Sequence, residues 1–353
     1  MAAEKILELC LSPDLGGLEL YMARASHALN AISVINKKGK LEPYYQNTDN
    51  TYFKIGRLDA VKLARIIDEQ DIDVVHLHWT KDIPIAVLAK LFSHKKPKLF
   101  QTRNMTMTRF KDDFYHRFLY KNMSGILAVT QQVKEQVEKF VPADIRPKTQ
   151  VLYMGAEVPV QLSAEDKIDF RNRIGLSDEF VVGIVGRIEE AKGQHLLLEA
   201  VQKLNTAGIP SKALIVGHAM DEQYLETLRS LYHDSAIFTG FTKEAQKYMQ
   251  VCDTLVLATK NETFGLVLIE AMMCGVCVVG SDSGGPLEII DNGVNGLLFQ
   301  TLDVDDLTDK LEVLARDAKK RNRLARAGQQ KAMDVFESRK QFNRLADVLK
   351  EGM

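Results

Sequence analysis

The feature that most constrains this chain is a rhythm: short apolar runs alternate with amphipathic helical stretches, and the pattern starts twice. The first series of runs falls at 6–11, 32–35, 74–77, 99–102, 126–129 and 150–152, most of them followed by helical patterns such as 18–29 and 58–69. Strands covered on both faces read as continuous apolar runs, and parallel neighbours must be joined by a long crossover, usually a helix. The rhythm therefore predicts a parallel sheet with helices on both faces. It resumes at 181–185, 213–216, 237–239, 254–257, 276–279 and 296–299, after a stretch at 155–163 with Pro159 and little helical period that reads as a linker. At 353 residues the chain exceeds what one core usually serves. The expectation is an α/β chain of two doubly wound domains, 1–160 and 161–335, facing each other across a cleft. A charged helix at 336–353 is expected to pack back on the first domain.

Chemistry concentrates in Asn261-Glu262-Thr263-Phe264-Gly265-Leu266 and the apolar run that follows, which reaches Glu270. Glu262 sits where a loop should end and Glu270 inside the next helix. At about 1.5 Å of rise per residue the two acids would stand roughly 12 Å apart if all between them is helical, on the order of a sugar diphosphate. Between them the amides of Thr263, Phe264, Gly265 and Leu266 would form a helix start, where unpaired N–H groups and the helix dipole favour a phosphate. Two acids at this spacing also arise by chance, so a second constellation matters. In Gly186-Arg187-Ile188-Glu189-Glu190-Ala191-Lys192-Gly193, Arg187 and Lys192 leave one loop after a buried strand, at the sheet edge where open α/β folds bind ligands. An Arg fork with a Lys point charge suits a diphosphate. A solvated loop with two ordinary cations is the plain alternative.

Other devices are absent from the sequence. No GxGxxG follows a strand and no GxxxxGK[ST] occurs, so neither a dinucleotide fingerprint nor a P-loop is available. Without an Asp-x-Asp pair beside the proposed site, charge on a leaving diphosphate would fall to Arg187, Lys192 and backbone amides. No metal and no resident cofactor are expected. A formal net charge of −1 argues against a general nucleic-acid binder. Cys10, Cys252, Cys274 and Cys277 lie in apolar surroundings, and Cys274-Gly-Val-Cys277 lacks the second pair of a zinc site, so buried thiols in a reducing, cytoplasmic setting are expected. No run is long enough to span a bilayer and no signal-peptide pattern is present.

Gly186-Arg187 with Lys192-Gly193, Leu214-Ile215-Val216-Gly217, Phe238-Thr239-Gly240-Phe241, the Glu262-to-Glu270 element and Ser283-Gly284-Gly285-Pro286-Leu287-Glu288 occur in the order found in family 4 glycosyltransferases. The second half resembles that family closely and the first half more loosely. The resemblance implies a GT-B fold, two facing Rossmann-like domains, and transfer of a sugar from a nucleotide donor with retention of configuration. It implies that Glu262 holds donor-sugar hydroxyls and Glu270 the ribose. Arg187 and Lys192 would bind the diphosphate and, with Glu262, form the catalytic set. Phe264, Gly265 and Leu266, beside Thr263, would give backbone donors, while Gly217 and Phe241 would line the base pocket. Turn glycines also have a conformational explanation. A front-face route, in which the leaving diphosphate helps deprotonate the acceptor hydroxyl, is likewise implied.

In the first half, Asp14-Leu15-Gly16-Gly17-Leu18-Glu19 resembles the family's glycine pair, with Gly17 toward the donor and Gly16 toward the acceptor. After Phe100-Gln101-Thr102, where the family often has a histidine, this chain has Arg103-Asn104. Arginine takes up no proton near neutral pH, so a general base there is not expected. Arg103, Asn104 and Arg109 are instead assigned to an acidic or phosphorylated acceptor. His76 and His78 share one face of a strand and read as core or pocket lining. Residues 93–121 interleave cations with aromatics, which suits an anionic membrane surface on the inner face of a cytoplasmic membrane or a phosphorylated saccharide core. The reading is a hexosyltransferase for cell-surface polysaccharide or lipopolysaccharide with a saccharide or lipid-linked acceptor. A nucleotide-sugar epimerase and a non-catalytic nucleotide-sugar binder are the alternatives, and the missing dinucleotide fingerprint disfavours a dehydrogenase.

Overall fold

The structure, a computed structural model, describes residues 4–46 and 48–351. The chain forms two compact units, one running to Met154 and taking the chain back from Arg339, the other Gly155–Ser338.

The first unit holds a seven-stranded sheet: β1 Ile6–Cys10, β2 Ile32–Asn36, β3 Tyr52–Ile55, β4 Val74–Leu77, β5 Lys98–Arg103, β6 Gly125–Ala128 and β7 Lys148–Val151. Its order is β3-β2-β1-β4-β5-β6-β7, and its pairings are parallel. The second unit's sheet comprises β8 Phe180–Val185, β9 Ser211–Val216, β10 Ala236–Gly240, β11 Thr254–Leu257, β12 Cys277–Ser281 and β13 Leu297–Phe299, ordered β10-β9-β8-β11-β12-β13 and also parallel. Both are doubly wound Rossmann-like sheets. Strand order reverses between β1 and β4 in one and between β8 and β11 in the other, and such reversal points open a crevice at the carboxyl ends of the strands.

Each apolar run read from the sequence is a strand, because central strands such as β4 and β11 are buried along their whole length. The sequence reading misses β3. It is a four-residue edge strand carrying Lys54, with only Ile55 fully covered, so it shows no continuous apolar run. The helix expected at 58–69 is Ala60–Glu69, which turns Ala60, Leu63, Ala64, Ile66 and Ile67 inward. Leu58 lies outside it and is 95% exposed. Asp59 ends the preceding turn by accepting the Gly56 N–H at 2.7 Å.

The stretch at 155–163 is tied to the second unit. Leu162 N–H donates to Gln250 Oε1 at 2.8 Å, Gln250 Nε2 donates to the Val160 carbonyl at 3.0 Å, and Gln161 Nε2 donates to the Met273 carbonyl at 3.1 Å. The division between units accordingly falls at 154/155. The last helix, Ser338–Glu351, buries Gln341, Phe342, Leu345 and Leu349. Phe342 meets Tyr21 with ring centroids 5.5 Å apart, inside the first unit.

Candidate functional site

The reversal between β8 and β11 brings together residues distant in sequence. Lys192 ends the loop after β8, Glu262 lies in the loop after β11, and Lys192 Nζ donates to Glu262 Oε2 at 3.3 Å. Both side chains are mostly covered, at 27% and 20% exposure. Arg187, from the same loop as Lys192, is exposed and pairs with Glu189 Oε1 at 2.9 Å. Gln194, at the start of the following helix Gln194–Thr206, is buried and donates from Nε2 to the Arg187 carbonyl at 2.8 Å. It fixes the loop from beneath. The sequence reading passed over Gln194, since one glutamine at a helix start carries no pattern.

Neighbouring loops are stitched together by backbone. Gly186 N–H donates to the Val216 carbonyl at 2.9 Å, and Gly217 N–H to the Gly240 carbonyl at 3.1 Å. Gly217 has φ 149°, and a Cβ there would stand 1.8 Å from the Gly186 oxygen, so a side chain would drive the two loops apart. This gives Gly217 a conformational reason. Phe241 is 66% exposed and meets His218 edge-on at 6.1 Å.

After β11, Thr263 and Phe264 form a bend, Gly265 is the cap, and the helix runs Leu266–Met273. This corrects the sequence reading. The helix starts four residues after Glu262, so the helical separation of the two acids does not apply, and the helix-start amides are those of Leu266 and Val267 rather than Thr263 and Phe264. Glu270 is the fifth helical residue and half-buried. The bend is pinned at Gly285, whose N–H donates to the Glu262 carbonyl at 2.9 Å. A Cβ on Gly285 would lie 2.0 Å from the Phe264 oxygen. Phe264 itself is buried against Phe336 at 6.1 Å.

Arg187 and Lys192 thus each face a carboxylate. A partly exposed ion pair is worth roughly 0–1 kcal/mol, whereas a charge-assisted bond to phosphate contributes about 1.5–3 kcal/mol. A diphosphate collecting several such bonds would outcompete Glu189 and Glu262. It would also free Glu262 to accept hydrogen bonds from a neutral polyhydroxyl ligand.

In the first unit, Gly16 and Gly17 lie exposed at the turn after β1, and Gly17 opens the helix Gly17–Ala28. Arg103 is the last residue of β5, not a loop residue, and is only 5% exposed. One Nη donates to the Thr106 carbonyl at 3.1 Å, while Nε and the other Nη are buried without a partner. Asn104 is half-buried and Arg109 exposed. Three cations of 93–121 stand in ion pairs: Lys95 with Asp71 at 2.6 Å and Asp73 at 3.0 Å, Lys98 with Glu4 at 3.1 Å, and Arg117 with Asp112 at 2.5 Å and with Asp144. Phe110, Phe114 and Tyr115 remain exposed.

His76 and His78 are fully buried with Glu8, which the sequence reading missed inside its apolar run. His76 Nδ1 and His78 Nε2 both bond Glu8 Oε2, the first at 2.8 Å, and His76 Nε2 bonds Thr102 Oγ1 at 2.8 Å. Burial by itself would raise the Glu8 carboxyl, yet the two imidazoles hold it down to about 2. Burial, then His76, pushes His78 below its ordinary value. Ligand-type atoms of the three residues lie within 4.8 Å of one another, but the contact distances are those of hydrogen bonds. All four cysteines are buried and free, and burial lifts the thiols of Cys274 and Cys277 to about 12.

Comparison with known proteins places the chain in a family. Residues 166–331 match the family described as "Glycosyl transferases group 1", and residues 8–132 match "Glycosyl transferase 4-like". The chain is 24% identical over 292 residues to N-acetyl-alpha-D-glucosaminyl L-malate synthase of Bacillus anthracis, covering 80% of this chain and 75% of the relative. It is 33% identical over 194 residues to GDP-mannose-dependent alpha-(1-6)-phosphatidylinositol monomannoside mannosyltransferase of Mycolicibacterium smegmatis, covering 51% of this chain and 50% of the relative. Among solved structures it resembles Anabaena HepE in complex with UDP-glucose, with TM-score 0.85, 22% identity, and coverage of 98% of this chain and 99% of that one.

Proposed function

The chain belongs to the family 4 glycosyltransferases of GT-B fold, and on that footing we propose that it moves a hexose-type sugar, with retention, from a nucleotide-diphosphate donor to a saccharide or lipid-linked acceptor in cell-surface polysaccharide or lipopolysaccharide synthesis. The observation that carries this reading is the Lys192–Glu262 contact at the β8/β11 reversal, which sets a cation and an acid side by side where open α/β sheets take ligands. The UDP-glucose in the Anabaena structure and the named reactions of the relatives support the donor class.

In this reading Lys192 and Arg187 hold the diphosphate and stabilise charge as the bond to the anomeric carbon breaks. Leu266 and Val267 point the positive end of their helix at it. Glu262 orients the sugar and Glu270 the ribose. The acceptor oxygen bonds to the anomeric carbon on the face the diphosphate leaves, and its proton passes to the departing phosphate oxygen. Neither a metal nor a resident cofactor has a part. The exposed Phe110, Phe114 and Tyr115 favour a peripheral place on an anionic inner membrane face. Equal recovery with neutral and anionic vesicles at low salt would remove that last part.

The test is hydrolysis and transfer assayed over a panel of nucleotide sugars. Glu262→Gln is expected to lower turnover about a hundredfold or more while nucleotide affinity stays within a few-fold. Arg187→Ala and Lys192→Ala are expected to weaken both. Unchanged rates in all three variants overturn the site, release of an isomerised free sugar points to an epimerase, and binding without turnover points to a sensor.

A further inference from the structure

The first unit contains a second cationic site that the donor chemistry does not use. A cavity of about 340 Å³ is lined by Arg57, Lys81, Lys111, Tyr115, His116 and Ile83, among others, and no carboxylate is among its lining residues. The nearby acids of the same loop are already engaged: Asp112 with Arg117 at 2.5 Å and Asp113 with His116 at 2.5 Å. Trp79 holds two of the cations in place, with the Arg57 guanidinium 4.7 Å and the Lys81 ammonium 5.2 Å from its ring centre.

Three further observations show a surplus of positive charge. Burial, then the charge of Arg103, pushes the Lys111 ammonium down against the opposing pull of Asp113, so Arg103 with its two unpartnered buried donors acts on the lining of this cavity. Burial lifts Asp82, the buried acid in electrical reach of Arg57, to about 7, which leaves it only partly ionised at neutral pH. The helix Ile83–Phe92 begins at the cavity wall with Ile83 and adds the positive end of its dipole. Arg57 follows β3, Lys81 follows β4, and Lys111 lies in the connection from β5 to the next helix, so all three come from segments leaving the carboxyl ends of strands, the ligand-binding edge of an open α/β sheet. Cations gathered this closely, countered in part by a partly ionised Asp82 and by Asp113, which His116 already holds, repel one another, and an anion relieves that repulsion.

The geometry points to an anion pocket in the first unit that takes a phosphoryl group carried by the sugar acceptor. Arg57 supplies a fork, Lys81 and Lys111 supply point charges, and the apolar wall of Ile83 and Tyr115 takes the carrier. Only the words "carried by the acceptor" rest on the glycosyltransferase reading; phosphoryl binding itself does not.

The test is calorimetric binding to the full chain, with glucose 6-phosphate and glucose as a matched soluble pair, and phosphatidate and phosphatidylcholine vesicles as a matched lipid pair. At least a tenfold preference for the phosphorylated member is expected in one pair, and that pair names the source as free saccharide phosphate or lipid phosphate. Lys111→Ala and Lys81→Ala are expected to erase the preference and Lys111→Arg to restore most of it, whereas Lys192→Ala in the other unit keeps it. No preference in either pair, or a preference that survives Lys111→Ala or falls only with Lys192→Ala, overturns the pocket. The wild-type preference stands as a test even if a variant fails to fold. Donor hydrolysis measured alongside separates the readings: turnover without phosphoryl binding removes the pocket alone, and phosphoryl binding without turnover removes the enzyme alone.

Discussion

At the scale of single residues, the second unit's ligand edge is built by close backbone approach, and its glycines are not equivalent to those of the first unit. Gly217 combines φ 149° with a Gly186 oxygen that would sit 1.8 Å from any Cβ, whereas Gly17 has nothing within 4 Å of that position. Gly217→Ala should therefore cost about 3 kcal/mol of stability through strain and overpacking, read as a lower urea midpoint. Gly17→Ala opens a helix and should leave the midpoint level or raise it by up to about 1 kcal/mol, while lowering donor affinity if Gly17 approaches the donor. Equal destabilisation by both would show that the first turn is a packing feature with no ligand.

At the scale of elements, three adjacent strands of the first sheet share one buried polar cluster, Glu8 on β1, His76 on β4 with His78 just past its end, and Thr102 on β5. Its linkage to pH has a definite sign. His78 is lowered in the folded state, so the unfolded chain takes up that proton first, and stability declines as pH falls below about 6.5. Glu8 is lowered from 4.5 to about 2, so a second loss, on the order of 3 kcal/mol, falls between those values. Glu8→Gln should flatten this acid limb and cost about 1–3 kcal/mol at pH 7, because a neutral amide oxygen accepts weaker hydrogen bonds from the two imidazoles than a carboxylate does. Thermal midpoints followed from pH 8 to pH 3 check this, and parallel curves for the two proteins would refute it. The same cluster shows what was legible in the sequence. Central strands announce themselves because burial on both faces forces an unbroken apolar run. A buried acid inside such a run does not, because its partners lie 68 and 70 residues further on. β3 was hidden by the polar half of an edge strand, and the helix at Leu266 by a bend that looks helical in sequence. In the site itself, Arg187, Lys192 and Glu262 were legible from the residues around them, whereas the support from Gln194 and Gly285 is a product of packing that no local pattern encodes.

At the scale of the whole molecule, the last helix completes a core begun by the first strands. Ser338–Glu351 brings Phe342, Leu345 and Leu349 into the first unit, where Phe342 meets Tyr21. Losing a buried Leu or Phe side chain typically costs about 2–5 kcal/mol, and three together rival the whole stability of a typical domain, about 5–15 kcal/mol. A chain ending at Ser338 should lose native packing in the first unit while the second stays folded, so limited proteolysis should leave a resistant fragment beginning near Gly155. Uniform resistance of the shortened chain would show that the helix contributes little.

This return of the chain also sets an order of events on the ribosome. The second unit is contiguous, so it can close as soon as its own residues have emerged, whereas the first must wait with an open seam at Tyr21 until the final turns are translated. A nascent or prematurely stopped product would expose that seam to chaperones and proteases, so quality control would act on the half made earliest.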